Sequence, residues 1–435
     1  MSFEDLGLSP ETLKAIADCG YTEPTPIQAQ SIPIVLMGRD LVGLAQTGTG
    51  KTASFTLPMI EILSGGRAKA RMPRSLILTP TRELAAQVSE NFDTYGKYHK
   101  LSMALLVGGT SMGDQIKKLE RGVDVLIATP GRLLDLFERG NILLNDIKVL
   151  VVDEADRMLD MGFIPDIEKI VSLVPFTRQT LLFSATMQPE IKKLTEKFLS
   201  NPKEVSVAPP ASTAERVEQF LVWCDRRKKR ETLLRIIESE DVKNAFVFCN
   251  RKRDIGDLTR WLKGKGYSAA EMHGDLDQKY RTQTLKAFKD NEITLLVCSD
   301  VAARGLDVQG LSHVFNYDVP FNADDYVHRI GRTGRAGQDG RAWSLASHGD
   351  DEKIVDAIEK LIKKTIPVQS FGEKSESKRS SEKASSGGSE RRKKGSGTRP
   401  AKVSRPRKSD HADDEDGDDT LGFGSEIPAF FGTGS

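Results

Sequence analysis

Short apolar runs alternate with amphipathic stretches through the first 365 residues of the chain. The runs are bounded as buried parallel strands usually are. In the first half they are Leu76–Leu78, Leu105–Val107, Val125–Ala128, Val149–Val152 and Leu181–Phe183. Between them, apolar side chains recur at helical spacing, as at Leu84, Val88, Phe92 and Tyr95. The alternation predicts βαβ units and a doubly wound parallel sheet.

The same alternation returns in the second half of the chain. Further strands are predicted at Phe246–Phe248, Leu295–Val297 and His313–Asn316, with helices near Arg253–Leu262 and Gln278–Phe288. A last helical stripe consists of Ile354, Ala357, Ile358, Leu361 and Ile362. The fold class is therefore α/β, with two tandem doubly wound domains.

Composition places the domain boundaries. A poorly patterned segment with two prolines lies between the halves, and we interpret it as a flexible linker. Beyond residue 370, Ser, Gly, Lys and Arg dominate, which predicts a disordered tail. The expected organisation is an N-terminal region 1–29, a first domain 30–207, a linker 208–216, a second domain 217–370 and the tail 371–435.

Charge is balanced overall but not along the chain. The net charge is +1, yet Phe371–Ser409 carries +9 and Asp410–Ser435 carries −8, so the first 370 residues sum to zero. Any nucleic-acid site in the folded part must be built locally. Scattered cysteines, a start without signal-peptide features and no long apolar stretch predict a cytoplasmic protein without a membrane partner.

A glycine-rich loop followed by Lys-Thr lies between the apolar run Leu41–Leu44 and a helix-competent stretch, Ala53–Leu63. Its residues are Ala45, Gln46, Thr47, Gly48, Thr49, Gly50, Lys51 and Thr52. In such a loop, backbone N–H groups surround phosphates, the lysine neutralises them and the Thr hydroxyl reaches Mg²⁺. The pattern predicts a nucleotide site, with alanine at its first position where glycine is usual.

Polar side chains follow each predicted strand, where ligands bind in open parallel sheets. Asp153 and Glu154 end the strand Val149–Val152, so Asp153 has the position of a Mg²⁺-organising carboxylate and Glu154 that of a base for the attacking water. A solvated acidic turn is the alternative. In the second half, the arginines of His328–Arg335 predict fingers that contact a polyanion, or a basic surface patch.

Taken together, these motifs resemble the DEAD-box RNA helicases over roughly residues 1–370, and most closely the bacterial RhlE-type members. Asp153–Asp156 spells Asp-Glu-Ala-Asp, and Gly20–Gln28 is similar to the Q motif, with an upstream aromatic at Phe3. Phe246–Asn250, His273 with Gly274, Ser299–Asp307 and His328–Arg335 are similar to second-domain motifs, although Ser299 stands where threonine is usual. The resemblance implies two RecA-like domains.

The resemblance also implies roles for individual residues. The predicted catalytic residues are Lys51, Asp153, Glu154, His328, Arg332 and Arg335, with Arg332 and Arg335 as fingers. Besides the glycine-rich loop, nucleotide contacts are expected from Phe3, Tyr21, Gln28, Gly305 and Asp307, with Tyr21 stacking on adenine and Gln28 reading its edge. Thr52 and Asp153 would hold Mg²⁺. Coupling between the ATP and RNA sites is assigned to Asp156, Ser184 and Thr186.

RNA is the implied partner, bound through its backbone without sequence preference. The predicted contacts are Pro80, Thr81, Arg82, Gly108, Gly109, Thr129, Gly131, Arg132, Gln278, Arg281 and Ser299. The expected activity is ATP-dependent local separation of RNA duplexes, driven by domain closure. The alternatives are an ATP-gated RNA clamp or annealing chaperone, and a DNA-directed translocase. We expect a monomeric core, with the tail binding RNA and proteins of RNA processing, ribosome assembly or RNA degradation.

Overall fold

Two parallel β-sheets organise the computed structural model, which describes residues 1–46, 48–207, 217–303, 306, 308, 310–334 and 340–370. The predicted linker 208–216 and tail 371–435 lie outside the described residues, as do Thr47, Gly305, Asp307 and Arg335. Both sheets belong to one compact unit, Met1–Glu373. The predicted class, two tandem parallel-sheet α/β domains, is confirmed.

The first sheet has seven strands in the order β3-β4-β2-β5-β6-β1-β7. Its strands are β1 Leu41–Leu44, β2 Ser75–Leu78, β3 Met103–Leu106, β4 Val125–Ala128, β5 Val149–Val152, β6 Gln179–Ser184 and β7 Lys203–Ser206. Its helices are α1 Pro10–Asp18, α2 Pro26–Leu36, α3 Lys51–Ser64, α4 Arg82–Tyr95, α5 Met112–Arg121, α6 Pro130–Glu138, α7 Ala155–Asp160, α8 Ile164–Leu173 and α9 Pro189–Phe198. We call this part, residues 1–207, the first sheet domain.

The second sheet has six strands in the order β10-β11-β9-β12-β13-β8. Its strands are β8 Val217–Trp223, β9 Ala245–Phe248, β10 Ala269–Met272, β11 Leu295–Cys298, β12 His313–Asn316 and β13 Gly340–Ala346. Its helices are α10 Lys229–Ser239, α11 Lys252–Gly264, α12 Gln278–Lys289, α13 Asp300–Ala303, α14 Ala323–Ile330 and α15 Glu352–Ile362. We call this part, residues 217–370, the second sheet domain.

Continuous apolar strands arise because both faces of each sheet are covered. In β2, Ile77 belongs to the apolar cluster on one face, while Leu76 and Leu78 belong to the cluster on the other. In β9, likewise, Val247 belongs to the apolar cluster on one face of the second sheet, while Phe246 and Phe248 belong to the cluster on the other. Strand pairing is parallel throughout both sheets, so the carboxyl ends of the strands lie along one edge of each.

The structure corrects two features of the predicted element pattern. Four strands, β7, β8, β10 and β13, were not predicted, because polar, charged or small residues interrupt their apolar runs; β7, for example, buries only Val205. In α15 the buried stripe contains Val355, whereas Ala357 and Leu361 are exposed. The helix is rotated relative to the predicted stripe because Val355 and Ile358 face the core.

Candidate functional site

The predicted phosphate loop connects β1 to α3, as the sequence suggested. Gly48 and Gly50 have φ angles of 84° and 92°, which side chains rarely tolerate. A Cβ on Gly50 would also overlap the Gln28 amide. Ala45 is buried and is not among the described residues with positive φ, so alanine at the head of the loop is unstrained. The loop therefore has the backbone freedom that phosphate binding requires.

Lys51 and Glu154 form a buried ion pair at the carboxyl end of the first sheet. Nζ of Lys51 lies 3.0 Å from Oε1 of Glu154, and Nε of Arg157 lies 3.0 Å from the other carboxylate oxygen. Burial alone would raise the pKa of Glu154, but Arg157 and Lys51, with His328 of α14 contributing, hold the pKa below its ordinary value. Glu154 also has a φ of 57°, an uncommon conformation for a side-chain-bearing residue.

Asp153 supplies an uncommitted oxygen beside this pair. Its Oδ1 is buried, with no hydrogen-bond partner among the described residues. Burial raises the pKa of Asp153, and the neighbouring Glu154 carboxylate adds to the shift. Mg²⁺ prefers oxygen ligands and commonly takes one or two from the protein and others from substrate phosphates. The Asp153 oxygen and the Thr52 hydroxyl fit that donor set, and within the described ranges no larger cluster of metal-binding side chains occurs.

Asp156 joins the end of β5 to the turn after β6. Its Oδ2 accepts hydrogen bonds from the backbone N–H groups of Ala185 and Thr186, at 2.9 and 3.0 Å, and from the Thr186 hydroxyl at 3.3 Å. The Ser184 hydroxyl donates to the Thr186 carbonyl oxygen at 2.8 Å. The backbone N–H of Ala45 donates to the Ser184 carbonyl oxygen at 3.0 Å. The three predicted coupling residues are thus physically continuous with the phosphate loop.

The predicted adenine-contacting residues occupy different environments. Gln28 caps α2, accepting from the Thr25 N–H at 2.9 Å and donating to the Gly50 carbonyl oxygen at 3.3 Å. An amide has two N–H groups and two lone pairs on its oxygen, so one of each remains available. Tyr21 is 44% exposed, as a stacking surface must be. Phe3, by contrast, is buried in the core of the first sheet domain.

Eight of the eleven predicted RNA contacts line one open cleft of about 400 Å³. They are Pro80, Thr81, Arg82, Gly108, Thr129, Gly131, Arg132 and Arg281. The first sheet domain supplies the first seven residues, from the segments after its strands and from the first turns of α4 and α6, and Arg281 of α12 comes from the second. The cleft therefore has walls from both sheet domains.

Polar contacts cross this cleft. Nη2 of Arg281 lies 2.7 Å from Oε1 of Glu83, with both side chains about one-tenth exposed. Nη1 of Arg82 donates to Gln278 Oε1 at 3.2 Å. A Cβ on Gly109, where φ is 73°, would overlap the Arg82 guanidinium, so glycine is required for this arrangement. Two of the three remaining RNA candidates, Gly109 and Gln278, are thus connected to the cleft through Arg82.

Buried arginines organise the carboxyl end of the second sheet. Arg329 is 1% exposed and makes paired hydrogen bonds to Asp300 of 2.6 and 2.7 Å, with further bonds to Asn250 and the Asp318 carbonyl oxygen. Arg332 is also buried and donates to the Leu306 carbonyl oxygen at 3.0 Å. Arg329 therefore holds three strand-end segments together beside the predicted finger.

Several contacts made by residues in or beside the predicted site were not predicted from the sequence. The Ser299 hydroxyl accepts a hydrogen bond from the Ala302 N–H at the start of α13 and keeps its own O–H donor, so its RNA contact stays a prediction. Glu83 and Arg157 were not singled out, and Arg329 was included only among the arginines expected to contact a polyanion, not as a buried partner of Asp300. Their role depends on long-range partners, which spacing along the chain does not reveal. The sequence contained one clue: each of these charged residues lies on a helix that also carries buried residues, Glu83 on α4, Arg157 on α7 and Arg329 on α14.

Comparison with known proteins places these residues in a family. The DEAD/DEAH box helicase model matches residues 25–194, and the helicase conserved C-terminal domain model matches residues 228–337. The ATP-dependent RNA helicase CshA of Limosilactobacillus reuteri is 45% identical over 370 residues, covering 85% of this chain and 74% of that protein. The DEAD-box ATP-dependent RNA helicase RhpA of Helicobacter pylori is 43% identical, with coverages of 80% and 70%.

A solved structure shares the whole two-domain arrangement. S. cerevisiae Dbp5 bound to RNA and ADP BeF3 superposes with a TM-score of 0.75 at 31% identity, covering 85% of this chain and 95% of that one. The chain belongs to the DEAD-box helicase family, and its two domains are RecA-like. Within the part of the chain that the structure describes, no helix has the length and apolar character to cross a membrane.

Proposed function

We propose that this chain is an ATP-dependent RNA helicase that closes its two sheet domains around ATP and single-stranded RNA and thereby separates short duplexes. The observation that carries the proposal is the cleft whose walls come from both domains and contain eight predicted RNA contacts. The curated relatives named above are ATP-dependent RNA helicases, and the similar Dbp5 structure contains RNA and a nucleotide. A ligand that touches both domains favours their closed arrangement.

Residues of the first sheet domain have separate roles in ATP binding and hydrolysis. Lys51 neutralises the terminal phosphates, and Glu154 orients the attacking water and accepts its proton. The Thr52 hydroxyl and Asp153 hold Mg²⁺, which would neutralise charge on the phosphate oxygens when bound. The remaining loop residues and Gln28 bind the nucleotide, with Tyr21 against the base.

The second sheet domain completes the site on closure. His328 and Arg332 lie on or next to α14, and we assign Arg332 and Arg335 the arginine-finger role, with Gly305 and Asp307 contacting nucleotide. His328 is the second-domain residue that, with Arg157 and Lys51, lowers the pKa of Glu154. Asp156, Ser184 and Thr186 transmit closure to the RNA cleft through their shared hydrogen bonds. We retain the domain boundaries 1–29, 30–207, 208–216, 217–370 and 371–435 as part of this proposal.

Two substitutions test the catalytic assignment in the full-length chain. Lys51→Ala and Glu154→Gln should each abolish RNA-stimulated ATP turnover while the thermal unfolding profile stays cooperative. Glu168→Gln is the matched control, because this half-exposed glutamate of α8 forms a surface ion pair with Lys197, at 2.7 Å, and has no role in the proposed chemistry. Near-normal turnover in a folded Lys51→Ala or Glu154→Gln protein would contradict the site.

A duplex-release assay separates unwinding from clamping. A short RNA duplex with a single-stranded overhang should be released with ATP and only poorly with a non-hydrolysable analogue. Equal release under both conditions, or stable retention without release, would favour the ATP-gated clamp or annealing chaperone instead. RNA should also stimulate ATP turnover more than DNA of the same sequence.

Further proposals concern the subgroup of the family, the role of the tail and the location of the protein in the cell. We assign the chain to the RhlE-type members because its two-domain core is followed by a basic segment, Phe371–Ser409. The tail would add phosphate contacts, so truncation after Gln369 should flatten the salt dependence of RNA affinity. An unchanged slope would contradict this role.

We also propose that the protein is cytoplasmic and that its core is monomeric. The tail should bind proteins of RNA processing, ribosome assembly or RNA degradation, which should co-purify with the full chain.

A further inference from the structure

One carboxylate fastens the N-terminal helix α1 to the helix that follows the phosphate loop. Oε1 of Glu61, on α3, accepts hydrogen bonds from the backbone N–H of Ser9 at 3.0 Å and from the Ser9 hydroxyl at 2.7 Å. The Thr12 hydroxyl donates to the same oxygen. Ser9 is the N-cap of α1, so the three donors belong to its first turn. A negative charge there also complements the helix dipole.

Helix α1 is held from the side of α4 as well. The buried Thr12 hydroxyl lies 2.9 Å from Nε2 of His99, which follows α4. At the other end of α1, the Asp18 carboxylate accepts from the Tyr98 hydroxyl at 2.7 Å and forms an ion pair with Lys97. Polar partners on two neighbouring segments therefore fix both ends of the helix.

The Glu61 contacts join the helix that precedes the predicted adenine-contacting segment to the helix that follows the phosphate loop. Helix α1 leads through Gly20 directly to Tyr21, whose hydroxyl lies 3.4 Å from that of Tyr95 on α4. Helix α3 begins at Lys51 and carries Glu61 on its third turn. A displacement of α1 relative to α3 would therefore move Tyr21 relative to the phosphate loop.

We propose that Glu61 is a positioning residue for nucleotide selection, which holds the adenine-contacting segment in register with the phosphate loop. The inference rests on the proposed adenine contacts of Tyr21 and Gln28. Glu61 does not touch the nucleotide; it acts through α1. Replacement by an apolar side chain leaves three donors without their acceptor, whereas glutamine retains an acceptor oxygen at the same position.

The test compares Glu61→Leu, Glu61→Gln and Thr12→Val in the full-length chain, by RNA-stimulated hydrolysis of ATP and of GTP. Glu61→Leu should raise the KM for ATP roughly tenfold with kcat within about twofold, because only binding geometry is lost. Its preference for ATP over GTP, as the ratio of kcat/KM values, should fall by about the same factor. Glu61→Gln should restore the wild-type values to within about threefold. Thr12→Val, which removes one donor, should fall between them.

Reference measurements separate this inference from the proposal on which it rests. Gln28→Ala should lose the ATP-over-GTP preference; if it does not, or if the wild type has none, the adenine contacts are wrong and this inference fails with them. If Gln28→Ala loses the preference but Glu61→Leu lowers only the melting temperature, with KM and preference unchanged, Glu61 is merely structural. Should Glu61→Leu not fold, an unchanged KM and preference in Thr12→Val would overturn the proposal.

Discussion

Asp156→Asn should uncouple the ATP site from the RNA cleft, because one carboxylate oxygen organises the turn after β6. That oxygen accepts two backbone N–H groups, at 2.9 and 3.0 Å, and the Thr186 hydroxyl at 3.3 Å, while its partner oxygen accepts from the Arg157 N–H at 3.0 Å. Asparagine has a single acceptor oxygen, so one of these two groups of donors must lose its partner.

The magnitude follows from the hydrogen bonds that are lost. A hydrogen bond to a charged group contributes about 1.5–3 kcal/mol, and the buried donors cannot be fully resatisfied, so we expect a net loss of about 2–3 kcal/mol. If the closed arrangement depends on this turn, duplex release should slow roughly 30- to 150-fold. Nucleotide affinity measured without RNA should change by less than about threefold, because Asp156 contacts the turn and not the phosphate loop.

Thr186→Val is the matched control for this substitution. It removes only the 3.3 Å hydroxyl contact to Asp156, the longest of the three, and retains both backbone bonds, so duplex release should fall clearly less than in Asp156→Asn. Duplex release by Asp156→Asn at the wild-type rate would refute the coupling argument. So would a loss of nucleotide affinity as large as the loss of unwinding, or a larger effect from Thr186→Val, with thermal unfolding used to confirm that each variant is folded.

Two further predictions concern the cleft and the core. Gly109→Ala, at φ 73° and against the Arg82 guanidinium, should lower the free energy of unfolding by about 1–3 kcal/mol and, by displacing Arg82, weaken single-stranded RNA binding in fluorescence anisotropy; unchanged affinity would contradict the close approach to Arg82. Arg74→Met breaks a buried ion pair to Asp124 of 2.7 Å and should lower the free energy of unfolding in urea by about 3–5 kcal/mol. Burial opposes ionisation of Asp124, but hydrogen bonds from Ser102 and Arg74 outweigh it and lower its pKa, so this stabilisation is present above the ordinary carboxyl pKa and is lost as the pH falls through the lowered value. The wild type should therefore destabilise more steeply than Arg74→Met below about pH 4, and parallel profiles would count against the pair.

The sequence predicts the sheets well where strands are buried on both faces. Val125–Ala128 and Val149–Val152 coincide with β4 and β5, because fully buried strands need uninterrupted apolar runs. The edge strand β7 escapes prediction since only one of its side chains is buried. Strand β13 escapes because Arg341 and small residues interrupt its apolar run. Local pattern is therefore sufficient where an apolar run is uninterrupted and insufficient where charged, polar or small residues interrupt it.

The candidate site also contains residues that could be predicted from the sequence and residues that could not. The phosphate loop and the Asp-Glu-Ala-Asp stretch are contiguous in sequence, so their chemistry could be predicted from residue types and spacing. The partners of Glu83 and Glu61 could not, because Arg281 and Ser9 lie far away along the chain. Burial of Phe3 in the core was also invisible, since an aromatic near the start of the chain suits stacking and packing equally well.

In the proposed closed state ATP and RNA each contact both sheet domains, and they should therefore bind cooperatively. The most direct measurement is the dissociation constant of single-stranded RNA with and without a saturating non-hydrolysable ATP analogue, together with that of the analogue with and without RNA. Linkage requires both affinities to rise by the same factor, which we expect to be about 5- to 150-fold. Affinities that are independent of the second ligand would contradict closure of the two domains as the basis of the activity.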